Sequence, residues 1–238
     1  ENDYLLDIVF HFPDCLVEIL KSVMSHDIVE QLNSSDNRFH HLPQSELTTV
    51  QQNLNSRGLM DLKILNLIWK DIVGDEEPLE VLLELLICFE FAYSSLPTPS
   101  SGTPSSGADA IVIPTFLPVK RPLNVKWDAD IPSGKKQVTI QVQFAGSCPT
   151  SLMSKLCVRL QSHIRQSFGW QSGLSAKLKN GAGSLLLELG EDHDQESISL
   201  SVRGSELDGL WREVLPILYD MDEVLEQWPQ LMFTRNVL

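Results

Sequence analysis

Residues 57–93 read RGLMDLKILNLIWKDIVGDEEPLEVLLELLICFEFAY, and the stretch divides into two helices around an acidic turn. Asp61 suits an N-cap, and Leu62, Leu65, Ile68, Trp69 and Ile72 recur behind it at helical spacing. Gly74 suits a left-handed stop. Pro78 suits the first turn of the next helix, where a missing backbone donor costs nothing. The second helix is expected over residues 79–92 and is apolar nearly all round, with Glu80, Glu84 and Cys88 as a thin polar stripe. Such a helix is buried in protein or covered by a partner. No run reaches the roughly 18 uncharged apolar residues of a membrane span, so the sequence predicts no membrane insertion.

Working outward, the N-terminal side predicts a short strand at residues 7–12, ended by Pro13, and a helix from Asp14 to Met24 with Leu16, Ile19, Leu20 and Val23 inward. Residues 26–43 are polar and irregular. Residues 45–55 return to helical spacing through Leu47, Val50 and Leu54, with Gly58 as terminator. On the C-terminal side, residues 94–109 (SSLPTPSSGTPSSGAD) form a Pro/Ser/Gly tract that buries too little to order itself, a disordered insertion. Residues 110–116 (AIVIPTF) read as a strand, placed at a sheet edge by Pro114.

A second change of character comes at residues 118–136, rich in Pro, Gly and Lys. Beyond it, VTIQVQF at 138–144 alternates apolar and polar residues, the mark of an antiparallel strand with one wet face. A helix is expected over 151–168, with Leu152, Leu156, Leu160 and Ile164 inward. Asn180-Gly181 is a hairpin signal. Ile198, Leu200 and Val202 give a second half-wet strand. A closing helix is expected over 207–228, kinked or broken by Pro216. The sum is an α+β chain: a mainly helical region over 1–118 and an antiparallel sheet with two helices over 119–238.

Composition narrows function. Among 238 residues, 18 Lys and Arg stand against 32 Asp and Glu, a net charge of -14. Phosphate backbones and anionic lipids demand clustered cations, so this balance disfavours both and suits basic partners. A nucleic-acid-binding winged helix is the alternative reading of the N-terminal pattern, but its recognition helix at 45–55 has no Lys or Arg. Cys15, Cys88, Cys148 and Cys157 lack CxxC spacing, and three of them lie in apolar surroundings and read as buried hydrophobes of a reducing compartment. Cys148, before Pro149 and a helix start, has a setting that lowers a thiol pKa. No base is in sight, and the structural reading of that cysteine stands above a thiol enzyme. Gly134-Lys135 lacks the upstream glycine and following hydroxyl of a P-loop, and Gly181–Gly183 lacks a lysine. His40-His41 has no partner at ligand spacing, and Asp192, Asp194 and Glu196 read as a solvated hairpin tip. No catalytic, cofactor-binding or metal residues are nominated. The chain opens without an initiator Met and reads as part of a larger protein.

Five segments carry a family resemblance. Phe10 through Lys21 (FHFPDCLVEILK) resembles F-x-D-P-x-W-L-V-x-x-L-K. Gly58-Leu59-Met60 with Leu67-Ile68-Trp69-Lys70 resembles G-I-L…L-W-K. Leu85-Leu86 with Phe89 and Ala92 resembles L-L-x-x-F-x-x-A. Val112 through Pro118 (VIPTFLP) is similar to L-V-P-S-L-L-P, and Asp220 through Pro229 looks like a closing acidic-Trp-Pro helix. In this order they are similar to the COR region (C-terminal of Roc) of Roco proteins, the group that includes the leucine-rich-repeat kinases. Cys15 stands where the family has Trp, Trp228 abuts Pro229 with no aromatic between, and residues 94–109 are inserted.

The resemblance implies a winged-helix-like COR-A over 1–118 and an α+β COR-B over 119–238. It implies a cytoplasmic, non-catalytic module that follows a Roc GTPase domain in cis and couples its nucleotide state to quaternary structure. Leu82, Leu86 and Phe89 on the over-apolar helix are the candidate contacts to Roc, with plain core as the equal reading for the two leucines. Thr139, Gln141, Gln143, Ser199 and Ser201, the polar uncharged face of the alternating strands, are the candidate contacts of a homodimer. An ordinary solvated face is the equal reading there.

Overall fold

The α3 helix (Gln44–Arg57) stops where Gly58 turns left-handed at φ 65°, and Leu54 O accepts the glycine N–H at 2.8 Å. No side chain fits at that turn: a Cβ on Gly58 would stand 2.7 Å from Ile113 O, whose own N–H donates to Gly58 O at 2.8 Å. The structure, a computed structural model, describes residues 13–24, 28–32, 37–73, 79–94, 110–181, 183–192 and 195–238. It divides into two compact units, Glu1–Leu117 and Pro118–Leu238.

In the first unit, α1 (Pro13–Met24), α2 (Ile28–Gln31) and α3 precede β1 (Leu59–Asp61), α4 (Leu62–Val73) and α5 (Leu79–Cys88). Short strands β2 (Tyr93–Ser94) and β3 (Ala110–Val112) then complete a three-stranded antiparallel sheet in the order β1-β3-β2. Asp61 does cap α4, its Oδ1 accepting the Lys63 N–H at 2.7 Å. Ile64, Leu65, Ile68 and Trp69 turn into the core, and the Trp69 indole N–H donates to Ser22 Oγ at 3.0 Å. The expected strand at 7–12, Gly74, Pro78 and the tract from 95 to 109 lie outside the described residues.

Two expectations need correction here. The helix expected over 79–92 ends at Cys88, because Glu90 adopts a left-handed φ of 61° and Leu86 O accepts from the Phe91 and Ala92 N–H groups. No glycine marks that stop. The run at 110–116 is not an edge strand: β3 is the central strand, and Pro114 stands beyond its end in a 3-10 turn (Pro114–Phe116).

The second unit is one six-stranded antiparallel sheet with two helices on one face. Its strands are β4 (Lys136–Phe144), β5 (Ile164–Trp170), β6 (Gly173–Leu178), β7 (Gly183–Asp192), β8 (Gln195–Gly204) and β9 (Phe233–Val237), in spatial order β5-β6-β7-β8-β4-β9. Helices α6 (Leu152–Arg159) and α7 (Leu207–Leu225) cover the face that carries Val138, Ile140, Val142, Leu187, Leu200 and Val202. Gly181, at φ 77°, turns β6 into β7 as Asn-Gly announces.

The helix expected over 151–168 is overturned in its second half. It passes into a 3-10 turn at Leu160–Ser162, and residues 164–170 form β5. Ile164 is buried under either reading, so spacing by fours cannot tell them apart. The strand then shifts register between Arg165 and Phe168, where Gln166 takes a φ of 52°, and this bulge hides the alternation. Pro216 neither breaks nor ends α7, since it lies on the exposed side where the carbonyl it leaves without a donor faces water. β9, short and mostly exposed, gives no periodic signal.

Candidate interaction surface

Register determines which side chains of the sheet face away from the helices. In the β4–β8 ladder, Gln137 stands opposite Arg203, Thr139 opposite Ser201, Gln141 opposite Ser199 and Gln143 opposite Ser197. Directly opposed residues share a face, so the alternating pattern places all of these on the outer face. The five dimer-contact candidates therefore form one patch, and it is internally bonded. Thr139 Oγ1 and Ser201 Oγ share a hydrogen bond at 3.0 Å, and Gln137 Nε2 donates to Thr139 Oγ1 at 2.7 Å. The Gln141 amide donates weakly to Ser197 Oγ at 3.4 Å, and Asn236 on β9 donates to Gln143 Oε1 at 3.2 Å.

This face is not bare. Residues 118–135, part of the stretch where the sequence changes character, lie across it as a strap held by two arginines. Arg203 is only 9 % exposed; its guanidinium lies 4.3 Å from the Trp127 ring centroid. Its Nε donates to Gln137 Oε1 at 2.5 Å and its Nη2 to Asp128 O at 2.7 Å. Arg121 works in the opposite sense, reaching from the strap to the sheet. It pairs with Glu188 at 3.3 Å, lies over the Trp170 ring at 5.8 Å, and donates its Nε–H to Val125 O at 3.1 Å. The Gln171 N–H donates to Pro118 O and fixes the start of the strap. A cleft lined by Arg121, Leu123, Val125 and Trp127 runs along it.

The three Roc-contact candidates separate, two of them on α5 and Phe89 just beyond its end. Leu82 and Leu86 are 2 % and 1 % exposed and belong to the core of the first unit, whereas Phe89 is 46 % exposed beside Ile87. Sequence spacing puts both leucines on one face, and that face is the one turned inward.

Elsewhere the chemistry is structural. Cys148 does not have a lowered pKa: partial burial and then the neighbouring Glu196 carboxylate push it up to about 11. Glu196 in turn accepts the Cys148 backbone N–H, so it is a structural acceptor and not part of a solvated hairpin tip. Burial drives the Cys157 thiol to about 12. His40 donates to Asn37 Oδ1 at 3.0 Å, and among the described residues no cluster of His, Cys, Asp or Glu is arranged to hold a metal. Among them, too, no helix is long and apolar enough to cross a membrane.

No curated protein matches the chain. Residues 135–238 match the family model described as C-terminal of Roc, COR-B domain. The match begins one residue before β4 and takes in the whole sheet and both helices, leaving only the strap of this unit outside it. Residues 135–238 are therefore similar to the COR-B domain, consistent with the COR domain of a Roco protein.

Proposed function

We propose that the chain is the COR region of a Roco GTPase and acts without catalysis of its own, transmitting the nucleotide state of an adjacent Roc domain to quaternary structure. The observation that carries this reading is the COR-B match across residues 135–238. In this reading residues 1–118 are COR-A, with a winged-helix-like arrangement of helices around a small sheet, and residues 119–238 are COR-B. The parent protein is cytoplasmic. Of the three Roc-contact candidates, Phe89 is the group left exposed to meet Roc, while Leu82 and Leu86 belong to the core. Of the outer-face candidates, Thr139 and the buried Ser201 lie toward the strap, and Gln141, Gln143 and Ser199 are the part of COR-B that serves as the dimer surface.

Sedimentation velocity of the chain with a Roc domain loaded with GDP or with a GTP analogue tests the proposal. Co-sedimentation whose strength depends on the nucleotide is expected. Roc that sediments freely in both states would overturn it. A nucleic-acid-binding role has no supporting feature, since α3 offers only Arg57 as a cation, at its last position.

A further inference from the structure

Register lays the outer face of the second unit out in rows. Phe168, Ser175, Leu186, Ser201 and Thr139 stand opposite one another in turn across β5, β6, β7, β8 and β4. Trp170, Gly173, Glu188, Ser199 and Gln141 form the next row. The β5–β7 half of this face thus carries an apolar patch of Phe168, Trp170 and Leu186, continuous with the hydroxyls and amides of the dimer candidates. Both helices lie on the other face, yet Trp170 and Leu186 are only 2 % and 6 % exposed, while Phe168 on the edge strand is 45 % exposed. The strap is the segment of this unit on their side of the sheet, and its Arg121 lies over Trp170 and pairs with Glu188 of the same row.

The strap is seated by few contacts. Residues 118–135 form no helix or strand, so they add no ladder of backbone bonds to the sheet. Leu123 is 98 % exposed, and Val119 and Ile131 also face water, so these apolar side chains contribute little burial. What holds the strap is side-chain bonding at Arg121 and Arg203, the Trp127 ring on Arg203, and the Gln171 N–H on Pro118 O. The strap is also the part of this unit that the COR-B match leaves out.

With the strap seated, the open dimer surface comes down to Ser199, Gln141 and Gln143 with Asn236, on three strands and about 15 Å by about 10 Å. A stable interface takes roughly 800 Å² from each partner. The whole outer face of six strands, about 29 Å by about 20 Å before side-chain relief is counted, approaches that size and has an apolar centre. We propose that the strap is an autoinhibitory cover of this face. Seated, it restricts self-association to the polar corner; released, it bares Phe168, Trp170 and Leu186 to the same patch of a second copy, sheet face to sheet face. Exposure of Trp170 and Leu186 opposes release in the monomer, and the dimer covers them again, so release and association are linked equilibria. The inference rests on the outer face being the dimer surface.

Arg121→Glu, and the milder Arg121→Ala should the first perturb folding, remove the pair with Glu188 and the cover of Trp170. In the whole chain each should speed trypsin cleavage at Lys126 relative to wild type. In sedimentation equilibrium each should tighten a monomer–dimer equilibrium, at least about tenfold for Arg121→Glu. Phe168→Glu added to either should cancel that gain, because it sets a charge in the bared patch. Faster cleavage at Lys126 without tighter association overturns the proposal. So does cleavage at the wild-type rate in both variants, a gain that survives Phe168→Glu, or open-ended aggregation in place of a dimer. Gln141→Lys separates this failure from that of the dimer surface itself. If it leaves wild-type association untouched, the outer face is not the dimer surface; if it weakens a wild-type dimer that strap release does not tighten, only the cover is disproved.

Discussion

Arg203 carries more of the second unit than its place in the sequence suggests. A nearly buried guanidinium is tolerable only if its donors are met, and Gln137, Asp128 and the Trp127 ring meet them. Arg203→Ala leaves Asp128 O and the Trp127 ring without their partner and is expected to cost about 2 kcal/mol in urea unfolding. It should also speed trypsin cleavage at Lys126 relative to wild type. A variant as stable and as resistant as wild type would mean the strap is held by other groups. In sequence Arg203 reads only as the wet side of an alternating strand, because its partner Asp128 lies 75 residues upstream. The thiols show the same limit: a cysteine before Pro149 looks activated until its burial, and then Glu196 brought in by β8, are seen.

Those thiols give a signed pH prediction. In the folded chain Cys148 and Cys157 stay protonated up to about 11 and about 12, against an ordinary 9.0. Both values are raised, so the stabilising contribution is complete below pH 9 and is lost as pH rises toward the folded values. Thermal stability should therefore fall above about pH 9, less steeply in Cys157→Ala, although that variant starts lower because of its cavity. At pH 8, iodoacetamide should modify the exposed Cys88 at least about tenfold faster than either. Comparable rates at Cys148 would show that its thiol is more acidic than its surroundings dictate.

At the scale of elements, the legible parts were those whose period survives packing. The α4 cap, the Gly58 stop, the Asn-Gly hairpin and the alternation of β4 and β8 are all local, and each is found where its residues indicate. β5 was illegible because a bulge interrupts its period, and β9 because neither of its faces is buried. Gly173, opposite Trp170 in the β5–β6 pair, shows a constraint that spacing cannot reveal. A Cβ there would lie 2.4 Å from the Trp170 ring and 2.7 Å from Leu187 O. Gly173→Ala should destabilise by about 2–3 kcal/mol through displacement of that ring. Pro216→Ala should do the reverse. It restores a donor to α7 at an exposed site and is expected to add about 1–3 kcal/mol to stability. Unchanged urea midpoints in either variant would mean the helix or ring relaxes at no cost.

At the scale of the molecule, the strap decides how much of the outer face remains for a second copy. It crosses the Arg203 and Gln137 end of the ladder and is bonded there, which leaves Gln141, Gln143 and the Asn236 edge as the open portion. That portion is polar and small, so an interface on it should be weak, with dissociation in the micromolar range. It also joins two chains that each carry -14, so added salt should strengthen association by screening repulsion. Sedimentation equilibrium of the whole chain at low and high salt tests this dependence. The double variant Gln141→Lys and Gln143→Lys should shift dimer toward monomer if each lysine meets its own copy across the axis. A chain that stays monomeric at about 100 µM in both salts would move the source of any dimer to the Roc domain and leave the outer face as a support for the strap.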